Sequence, residues 1–391
     1  MQLNEICEFI VDCPHSTAPD EGAGYPLIRT PNVGRGRLLL EGVHRVSERV
    51  YKDRTQRGIP QDGDIIFARE APAGNAALVT NGAKVCLGQR TVLIRPNQEI
   101  VNPAFLVYYL LAPEQQYKLL GTANGATVAH VNLPVIRNLP VELPDRDIQD
   151  KIAGIISAYD DLIENNQKQI ILLEEAAQRL YKEWFVDLRF PGYEDAMIVD
   201  GVPEGWSKTT LDFIVQLRKE TVTKEKIPDG IPYIGLEHMP RKDICLSTWG
   251  NSADVNSNKS KYYEDDIIFG KIRPYFHKVG FALNNGVTST DTFVMNAQDG
   301  LWGLLLSVVS STDFVNYSYQ NCKEGAKMPR ADWKQMKNYQ ILIASNSIQQ
   351  SFEQQIWTIT RKIKCLALQN RKLVEARDRL LPKLMSGELE V

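Results

Sequence analysis

The segments "DGDIIFARE" (residues 62–70) and "EDDIIFGKI" (residues 264–272) are two versions of one sequence, with Ile-Ile-Phe at the same place in both. A short apolar run between polar turn residues is typical of a strand that is buried on both faces. Such a strand lies at the centre of a domain, so its recurrence predicts two domains of the same kind. A chain of 391 residues is also long enough to form two cores.

The repeat extends over most of the chain at a nearly constant offset. Upstream, "YPLI" (25–28) resembles "IPYI" (231–234), and downstream Ile148-Gln149 matches Ile348-Gln349 at an offset of 200. This period is far longer than that of a solenoid repeat. The chain is therefore predicted to be a duplicated unit, in which a globular part is followed by a helical part.

The globular parts contain short strand-like runs separated by Gly, Pro and Asn, with helical segments at 102–120 and 301–319. This alternation predicts mixed α/β (α+β) domains in two pseudo-symmetric copies. The predicted boundaries are 1–144 for the first domain, 145–190 for a first long helix, 191–344 for a linker with the second domain, and 345–391 for a second long helix with the C-terminal tail.

The helical parts have apolar residues at alternating steps of four and three, the spacing of a coiled coil. Residues 146–190 carry a net charge of −3 and residues 346–391 a net charge of +3. Opposite charges favour pairing of the two helices with each other, which predicts a long antiparallel two-helix coiled coil with Trp184 near Ile348. The alternative is two independent amphipathic helices, each packed on its own domain.

The composition is that of an ordinary globular protein, with 43% apolar and 24% charged residues and a net charge of −3. The six cysteines are scattered without a CxxC pair, so neither a disulfide framework nor a metal site is expected. The N-terminus has no basic and apolar leader pattern, and no run is apolar enough to span a membrane. A cytoplasmic protein without a membrane partner is predicted.

Several motifs resemble those of one protein family. "LYKEWFVDLRFPG" (180–192) and "LLPKLMSGELEV" (380–391) look like the family's helix-end motifs. "REAPAGNAALV" (69–79) and "GKIRPYFHKVGFA" (270–282) look like its target-recognition domains. Together with the duplicated architecture, they make the chain similar to the specificity subunit of type I restriction–modification systems.

The resemblance implies a non-catalytic subunit that reads a bipartite, asymmetric target in double-stranded DNA. Its implied partners are two copies of a DNA adenine-N6 methyltransferase subunit and motor–nuclease restriction subunits. The resemblance places S-adenosylmethionine, ATP and Mg²⁺ on those partners and no cofactor on this chain.

A DNA reader needs cations for phosphates and side chains that reach base edges. Between Arg29 and Arg57 there are eight basic residues against three acidic ones. Arg35 and Arg37 stand beside glycines, which favours a mobile loop entering a groove. Arg69 and Arg90 are further candidates in this domain. The alternatives are a solvated basic face and, for Arg69 and Arg90, ion pairs with Glu70 or Asp64.

In the second domain, "GKIRPYFHKVG" brings cations together with aromatic residues. Arginine can bind guanine through two hydrogen bonds and lysine can bind a phosphate, whereas Tyr275 can stack on a base or pack. A Gly-Ala turn precedes His130 in one copy and Lys327 and Arg330 in the other, so these residues are predicted to face the same ligand. The candidate DNA contacts are Arg29, Arg35, Arg37, Arg69, Arg90, His130, Lys271, Arg273, Tyr275, Lys278, Lys327 and Arg330.

The end of the first long helix is rich in aromatic residues. Trp184 continues the apolar seam and is expected to pack against the second helix, whereas Tyr181 and Phe185 lie off it. Tyr181 and Phe185 are predicted to contact the second domain or a methyltransferase subunit, and Tyr181, Trp184 and Phe185 are together the candidates for docking a partner.

Two other functions are alternatives to that of a DNA-reading subunit. The chain has no phosphate-binding loop and no amino-methyltransferase motif. Asp332 and Lys334 form a D-x-K pattern that could contribute to a self-contained DNA endonuclease, although a helix start is the more ordinary interpretation. A coiled-coil scaffold without a role in DNA binding is the other alternative.

Overall fold

The repeated apolar runs form the central strands of two five-stranded sheets in the computed structural model, which describes residues 1–121, 130–322 and 328–391. The described chain divides into two units, Met1–Ile163 with Lys372–Val391 and Glu164–Arg371. Each unit consists of a mixed α/β domain and a segment of each of two long helices.

In the first half of the chain, the described residues form eight strands and five helices. They are β1 (Cys7–Asp12), β2 (Tyr25–Ile28), β3 (Gly36–Arg37), β4 (Arg45–Val46), α1 (Glu48–Arg54), β5 (Ile65–Ala68), β6 (Ala76–Leu78), β7 (Cys86–Leu87), β8 (Thr91–Pro96), α2 (Pro103–Leu111), α3 (Pro113–Leu120), α4 (Leu133–Arg137) and the long helix α5 (Arg146–Tyr181). The main sheet has the order β1-β8-β5-β6-β3, and a smaller sheet has the order β4-β2-β7.

A π-helical turn over Lys182–Val186 follows α5. The later elements are β9 (Ile198–Val199), β10 (Val202–Pro203), β11 (Ser207–Thr210), α6 (Leu211–Ile214), β12 (Val215–Leu217), β13 (Thr221–Val222), β14 (Pro232–Ile234), β15 (Cys245–Leu246), β16 (Gly250–Asn251), β17 (Lys259–Tyr262), β18 (Ile267–Gly270), β19 (Val279–Ala282), β20 (Gly286–Thr288), β21 (Thr292–Ala297), α7 (Trp302–Val309), α8 (Thr312–Gln320), α9 (Trp333–Met336), β22 (Gln340–Ile343) and the second long helix α10 (Asn346–Met385).

The two main sheets have the same topology. The order β12-β21-β18-β19-β15 in the second unit repeats β1-β8-β5-β6-β3 of the first. In both sheets the last pair is parallel (β3 with β6, β15 with β19) and the other pairs are antiparallel. The predicted duplication of a mixed α/β domain is confirmed.

The central strand is apolar throughout because both of its faces are covered. Successive side chains of a strand point to opposite faces. Ile65 and Phe67 belong to the core that contains α2, while Ile66 belongs to the core on the other face of the sheet. The second unit repeats this division, with Ile267 in one core and Ile268 in the other.

A buried aspartate precedes the central strand in both copies. Asp64 accepts two hydrogen bonds of 2.8 Å from Arg95 on β8, and a third of 2.9 Å from the backbone N–H of Gln61. Asp266 accepts one of 2.6 Å from Arg218 and one of 2.8 Å from the N–H of Tyr263. The repeated acidic residue therefore closes the turn that leads into the strand and binds a cation from another segment.

We expect Asp64→Asn to lower the free energy of unfolding by about 3 kcal/mol, because it leaves the largely buried Arg95 guanidinium without its counter-charge. Urea denaturation followed by circular dichroism measures the change. The matched control is Glu114→Gln, in an exposed i,i+4 pair with Lys118, for which a loss below about 0.5 kcal/mol is expected. Equal losses for the two variants would contradict a structural role for Asp64.

The long helices α5 and α10 pair with each other in antiparallel fashion within each unit. In the second unit, Asn166 donates to Asn370 at 2.9 Å and the ring of Trp184 packs on Phe352 at 5.8 Å, so rising numbers along α5 meet falling numbers along α10. In the first unit, Arg377 donates to Asp160 at 2.6 Å. The predicted coiled-coil pairing is confirmed, and the alternative of two independent helices is wrong.

The register differs slightly from the predicted one. Trp184 was expected near Ile348, whereas the ring that it packs on belongs to Phe352, one helical turn further along α10. Ile348 is half-buried against the same core. None of the described helices is long and apolar enough to cross a membrane.

A buried acid on α5 attaches this helix to the second domain. Glu174 is 6% exposed and accepts hydrogen bonds from the backbone N–H groups of Ile244 (3.0 Å) and Cys245 (3.2 Å), at the start of β15. Burial, and secondarily the charge of Asp243, raise the pKa of Glu174 to about 8.

This raised pKa predicts that stability falls with pH. A glutamate in an unfolded chain titrates near pH ~4.3, so between that pH and about 8 the folded protein binds one proton more than the unfolded chain. The free energy of unfolding should therefore decrease as pH rises across this range. Glu174→Gln keeps the acceptor oxygen but cannot titrate. We therefore expect the free energy of unfolding of this variant to decrease less with rising pH, by on the order of a few kcal/mol over this range.

Urea midpoints at pH 5 and pH 8 measure this effect, with Glu175→Gln as the control because Glu175 is the exposed neighbour on the same helix. An unchanged pH slope in Glu174→Gln would show that another group carries the titration.

Candidate nucleic-acid interface

Charged residues of the first unit meet at one edge of its main sheet. Asp12 ends β1, and Arg69 follows β5, two strands away in the sheet. Arg69 is 9% exposed, and it donates to Asp12 at 2.6 Å and to the backbone carbonyl of Val131 at 2.8 Å. The sequence suggested Glu70 or Asp64 as the alternative ion-pair partner of Arg69. In the structure the partner is Asp12, which is distant in sequence.

His130 extends this cluster. Its Nε2 lies 2.9 Å from Nη2 of Arg69, and since a guanidinium can only donate, Nε2 must accept and Nδ1 must carry the proton. Nδ1 then donates to Glu70, whose other oxygen lies 2.7 Å from Nη1 of Arg90. The alternative in which Arg90 pairs with Glu70 is confirmed.

The resulting chain of contacts, Asp12–Arg69–His130–Glu70–Arg90, is here called the first polar cluster. Arg90 is its most accessible member, with a side chain that is 60% exposed. A cavity of about 290 Å³ opens beside the cluster and is also lined by His15 and Gln89. Buried partners hold the hydrogen-bond donors and acceptors around this opening in place. Such groups are suited to binding the polar edge of a ligand.

Arg35 and Arg37 are directed toward helices instead of a free loop. Arg37 belongs to β3, which pairs with β6, and its guanidinium forms an ion pair with Asp161 of α5. Arg35 donates to the carbonyl of Leu111 at 3.3 Å. The predicted mobile loop is therefore wrong, whereas DNA binding by the two arginines stays a prediction.

The glycine between these arginines is required by its surroundings. Gly36 has a positive φ of 98°, and a Cβ there would lie 2.9 Å from Oδ2 of Asp160. A residue without a side chain lets the strand approach α5 closely at Asp160.

Other members of the basic patch are used within the domain. Arg54 and Arg57 donate to backbone carbonyls, Arg57 to those of Asp12 and Cys13 at 3.2 Å each. Arg29 precedes a 3₁₀ turn, and its buried Nε has no hydrogen-bond partner in the described part of the chain. It is not among the residues that line the cavity of the first polar cluster.

In the second unit, two of the predicted lysines are engaged by backbone carbonyls. Lys271, directly after β18, donates to Thr290 at 2.8 Å and lies 4.5 Å from the centre of the Phe293 ring. Lys278 donates to the carbonyl of Leu236. Desolvation by burial is the main cause that lowers the pKa of both lysines.

The segment that contains Arg330 lies beside the segment that contains Lys271 and Arg273. The N–H of Arg273 donates to Pro329 at 2.8 Å and that of Ala331 to Lys271 at 2.8 Å, so the segment 329–331 runs beside 271–273. Arg330 is ion-paired with Asp291. Tyr275 is 45% exposed and its ring packs on Phe276 and Tyr319. Lys327 and both Gly-Ala turns lie outside the described residues.

Sequence reasoning missed Arg241, whose guanidinium carbon lies 4.1 Å from the centre of the Phe276 ring. The run Pro240-Arg241-Lys242 was the available signal, because two cations in a turn suit a surface contact. Asp12 and Asp291 were also missed as partners of arginines, since each pair joins residues far apart in sequence.

The aromatic residues at the end of α5 belong mainly to the core. Trp184 and Phe185 are each 6% exposed, and Phe185 packs on Phe352 at 4.8 Å and on Trp206 at 5.2 Å. The contact of Phe185 with Trp206 confirms the alternative in which this residue packs on the second domain, and the contact of Trp184 with Phe352 confirms its packing on the second helix. Docking of a separate partner by these two side chains is wrong, because their rings are covered within the chain. Tyr181 lines a cavity of about 470 Å³ with residues that include Arg179 and Asp313, and its docking role stays a prediction.

We expect Phe185→Ala to lower the free energy of unfolding by about 3 to 5 kcal/mol, as is usual when a buried aromatic side chain is removed. Val186→Ala is the control, because the adjacent Val186 side chain is 49% exposed and should change stability by less than about 0.5 kcal/mol. Urea denaturation measures both. Unchanged stability in Phe185→Ala would argue against a core role.

Asp332 begins a helix. It is the N-cap of α9, and its carboxylate accepts a hydrogen bond of 3.1 Å from the N–H of Lys334. This is an ordinary capping contact, so the helix-start interpretation of the D-x-K pattern is confirmed. Within residues 1–121, 130–322 and 328–391, no group of three or more His, Cys, Asp or Glu side chains is placed to hold a metal ion.

Comparisons with known proteins agree with this architecture. Residues 1–175 match the type I restriction modification DNA specificity domain. The chain is 26% identical over 371 residues to the type I restriction enzyme MjaIX specificity subunit of Methanocaldococcus jannaschii, covering 90% of this chain and 83% of that protein. It is 23% identical over 398 residues to the HindI specificity subunit of Haemophilus influenzae, covering 84% and 86%.

A solved structure has the same fold. The S subunit of a type I restriction–modification system from M. genitalium superposes with a TM-score of 0.60 at 14% identity, covering 98% of this chain and 95% of that one. Residues 1–175 thus match the DNA specificity domain of type I restriction–modification systems, and the chain as a whole is similar to the specificity subunits of type I restriction enzymes.

Proposed function

We propose that each α/β domain reads one half of a bipartite, asymmetric target in double-stranded DNA. The observation that carries this proposal is one sheet topology occurring twice with different side chains at the same strand end. After β5 stands the first polar cluster, in which each arginine has an acidic partner. After β18 stand Lys271 and Arg273 among aromatic rings. Equivalent positions that carry different side chains would read different bases, so the two halves of the target would differ in sequence.

The side chains available for contact follow from the geometry. In the first domain Arg90 is the exposed end of a cluster whose other members hold it in place, so it is the best candidate for a base edge. His130 and Arg69 would act by positioning, because they are partly or largely covered. In the second domain Arg273 and Tyr275 are available, while Lys271, Lys278 and Arg330 have partners within the chain.

We further propose that the chain brings enzymes to this target. Two copies of a DNA adenine-N6 methyltransferase subunit and motor–nuclease subunits would join it, and S-adenosylmethionine, ATP and Mg²⁺ would act on those partners. Two copies are supported by the duplication of the chain, because two equivalent domains with their helix segments offer two similar docking places. Tyr181 and the cavity that it lines are one candidate for such a contact.

Mapping of methylated adenines tests the proposal. DNA modified by the full chain together with its methyltransferase subunit should carry a split motif with two constant and different halves. Arg90→Ala should reduce the sequence specificity of one half of the motif only. The expected loss is about 1 to 3 kcal/mol of discrimination between the correct and the wrong base at one base pair. The control is Lys118→Ala, in an exposed pair on α3, which should leave both halves unchanged. A continuous motif, or equal loss in both halves, would contradict the proposal.

A further inference from the structure

Two arginines of the second unit share one aromatic ring. The guanidinium carbon of Arg241 lies 4.1 Å from the centre of the Phe276 ring, and that of Arg273 lies 5.7 Å from it. A guanidinium near an aromatic face is attracted by the ring and retains its hydrogen-bond donors for another ligand.

The turn that carries Phe276 is firmly held. Arg273 and His277, at the two ends of the 3₁₀ turn Pro274–Phe276, have positive φ angles of 50° and 54°. Such conformations are costly for residues with a side chain and occur most often at functional sites. The buried His277 donates from Nε2 to the carbonyl of Ser310 at 2.8 Å, which anchors the turn to the end of α7.

The Arg241 segment is attached to the same turn. The N–H of Lys242 donates to the carbonyl of His277 at 2.9 Å, so the two arginines belong to segments that are hydrogen-bonded to each other. Their positions relative to the ring are therefore set by the backbone as well as by the stacking.

Neither arginine is neutralised within the described part of the chain. No carboxylate in residues 1–121, 130–322 or 328–391 forms an ion pair with Arg241 or Arg273, whereas the neighbouring Asp291 is paired with Arg330. The nearby Lys271 and Lys278 donate to backbone carbonyls. Arg241 and Arg273 therefore offer two planar guanidinium groups without a counter-charge in the described residues, each near the Phe276 ring.

We propose that Arg241 and Arg273 form a guanine-reading pair in the second domain, with Arg241 as a specificity-determining residue. The inference rests on the proposed DNA-reading function and names the base that this surface selects. Guanine presents two acceptors, O6 and N7, in the major groove, and a guanidinium can bind both at once. Phosphate contacts carry no sequence information directly, whereas binding both acceptors of guanine needs an oriented guanidinium, which stacking on Phe276 and the hydrogen-bonded backbone of the turn favour.

The test selects binding sequences from duplex DNA with a randomised region, using the full chain with its methyltransferase subunit. In Arg241→Gln and Arg273→Gln, we expect the preference for guanine at one position to fall by about 5- to 150-fold. A shift toward adenine at that position would also agree, because glutamine pairs with adenine. The other half of the motif should not change.

Arg361→Gln is the matched control, because Arg361 lies 5.3 Å from the centre of the Trp357 ring, a similar contact on α10. It should leave the motif as in the wild type. Circular dichroism of all three variants should show wild-type folding, since stacking is the contact that each replaced side chain makes among the described residues.

The outcomes separate the two proposals. If the wild type selects a split motif and the two arginine variants select the same one with uniformly weaker, less salt-dependent binding, the arginines contact phosphates and the guanine assignment is wrong. An unchanged motif with unchanged affinity would also overturn it. If the wild type selects no split motif, the proposed function itself fails.

Discussion

The fold of the first domain depends on the buried carboxylate of Asp64. This residue lies at the start of a strand that is covered on both faces. A buried charge is tolerated only when hydrogen-bonded partners compensate for its lost hydration. Arg95 on the neighbouring strand and the backbone of the preceding turn supply them. The second domain repeats this solution with Asp266 and Arg218. In both copies the strand then leads directly to the edge where the candidate DNA contacts lie.

Much of the architecture could be predicted because it depends on local sequence patterns. The Ile-Ile-Phe runs identified the central strands, and the seven-residue spacing identified the long helices. The distribution of charge between these helices also favoured the pairing that α5 and α10 adopt. These features follow from burial and periodicity, which act over a few residues.

The partners of the charged side chains could not be predicted in the same way. Arg69 binds Asp12 and Arg37 binds Asp161, and only the folded sheet brings these pairs together. An arginine beside glycines looks mobile in a sequence, yet Arg37 is paired with a helix because Gly36 allows close approach. Likewise, the aromatic residues after α5 looked available until Phe352 and Trp206 were found to cover them. The exposure of a side chain and its ion-pair partner depend on the tertiary structure. A list of candidate DNA-binding cations taken from the sequence therefore contains many residues with a structural role.

The hydrogen bond between Asn166 and Asn370 has a consequence for how the long helices can change. Asn166 is 3% exposed, and its amide donates to the side chains of Gln369 and Asn370 in the alignment that α5 and α10 adopt. A polar residue in a coiled-coil seam lowers stability but excludes other alignments. An insertion of whole heptads keeps the apolar seam in phase with this contact. An insertion of any other length turns the seam on one side of the contact out of phase with it, so the contact restricts which helix lengths are accessible to evolution.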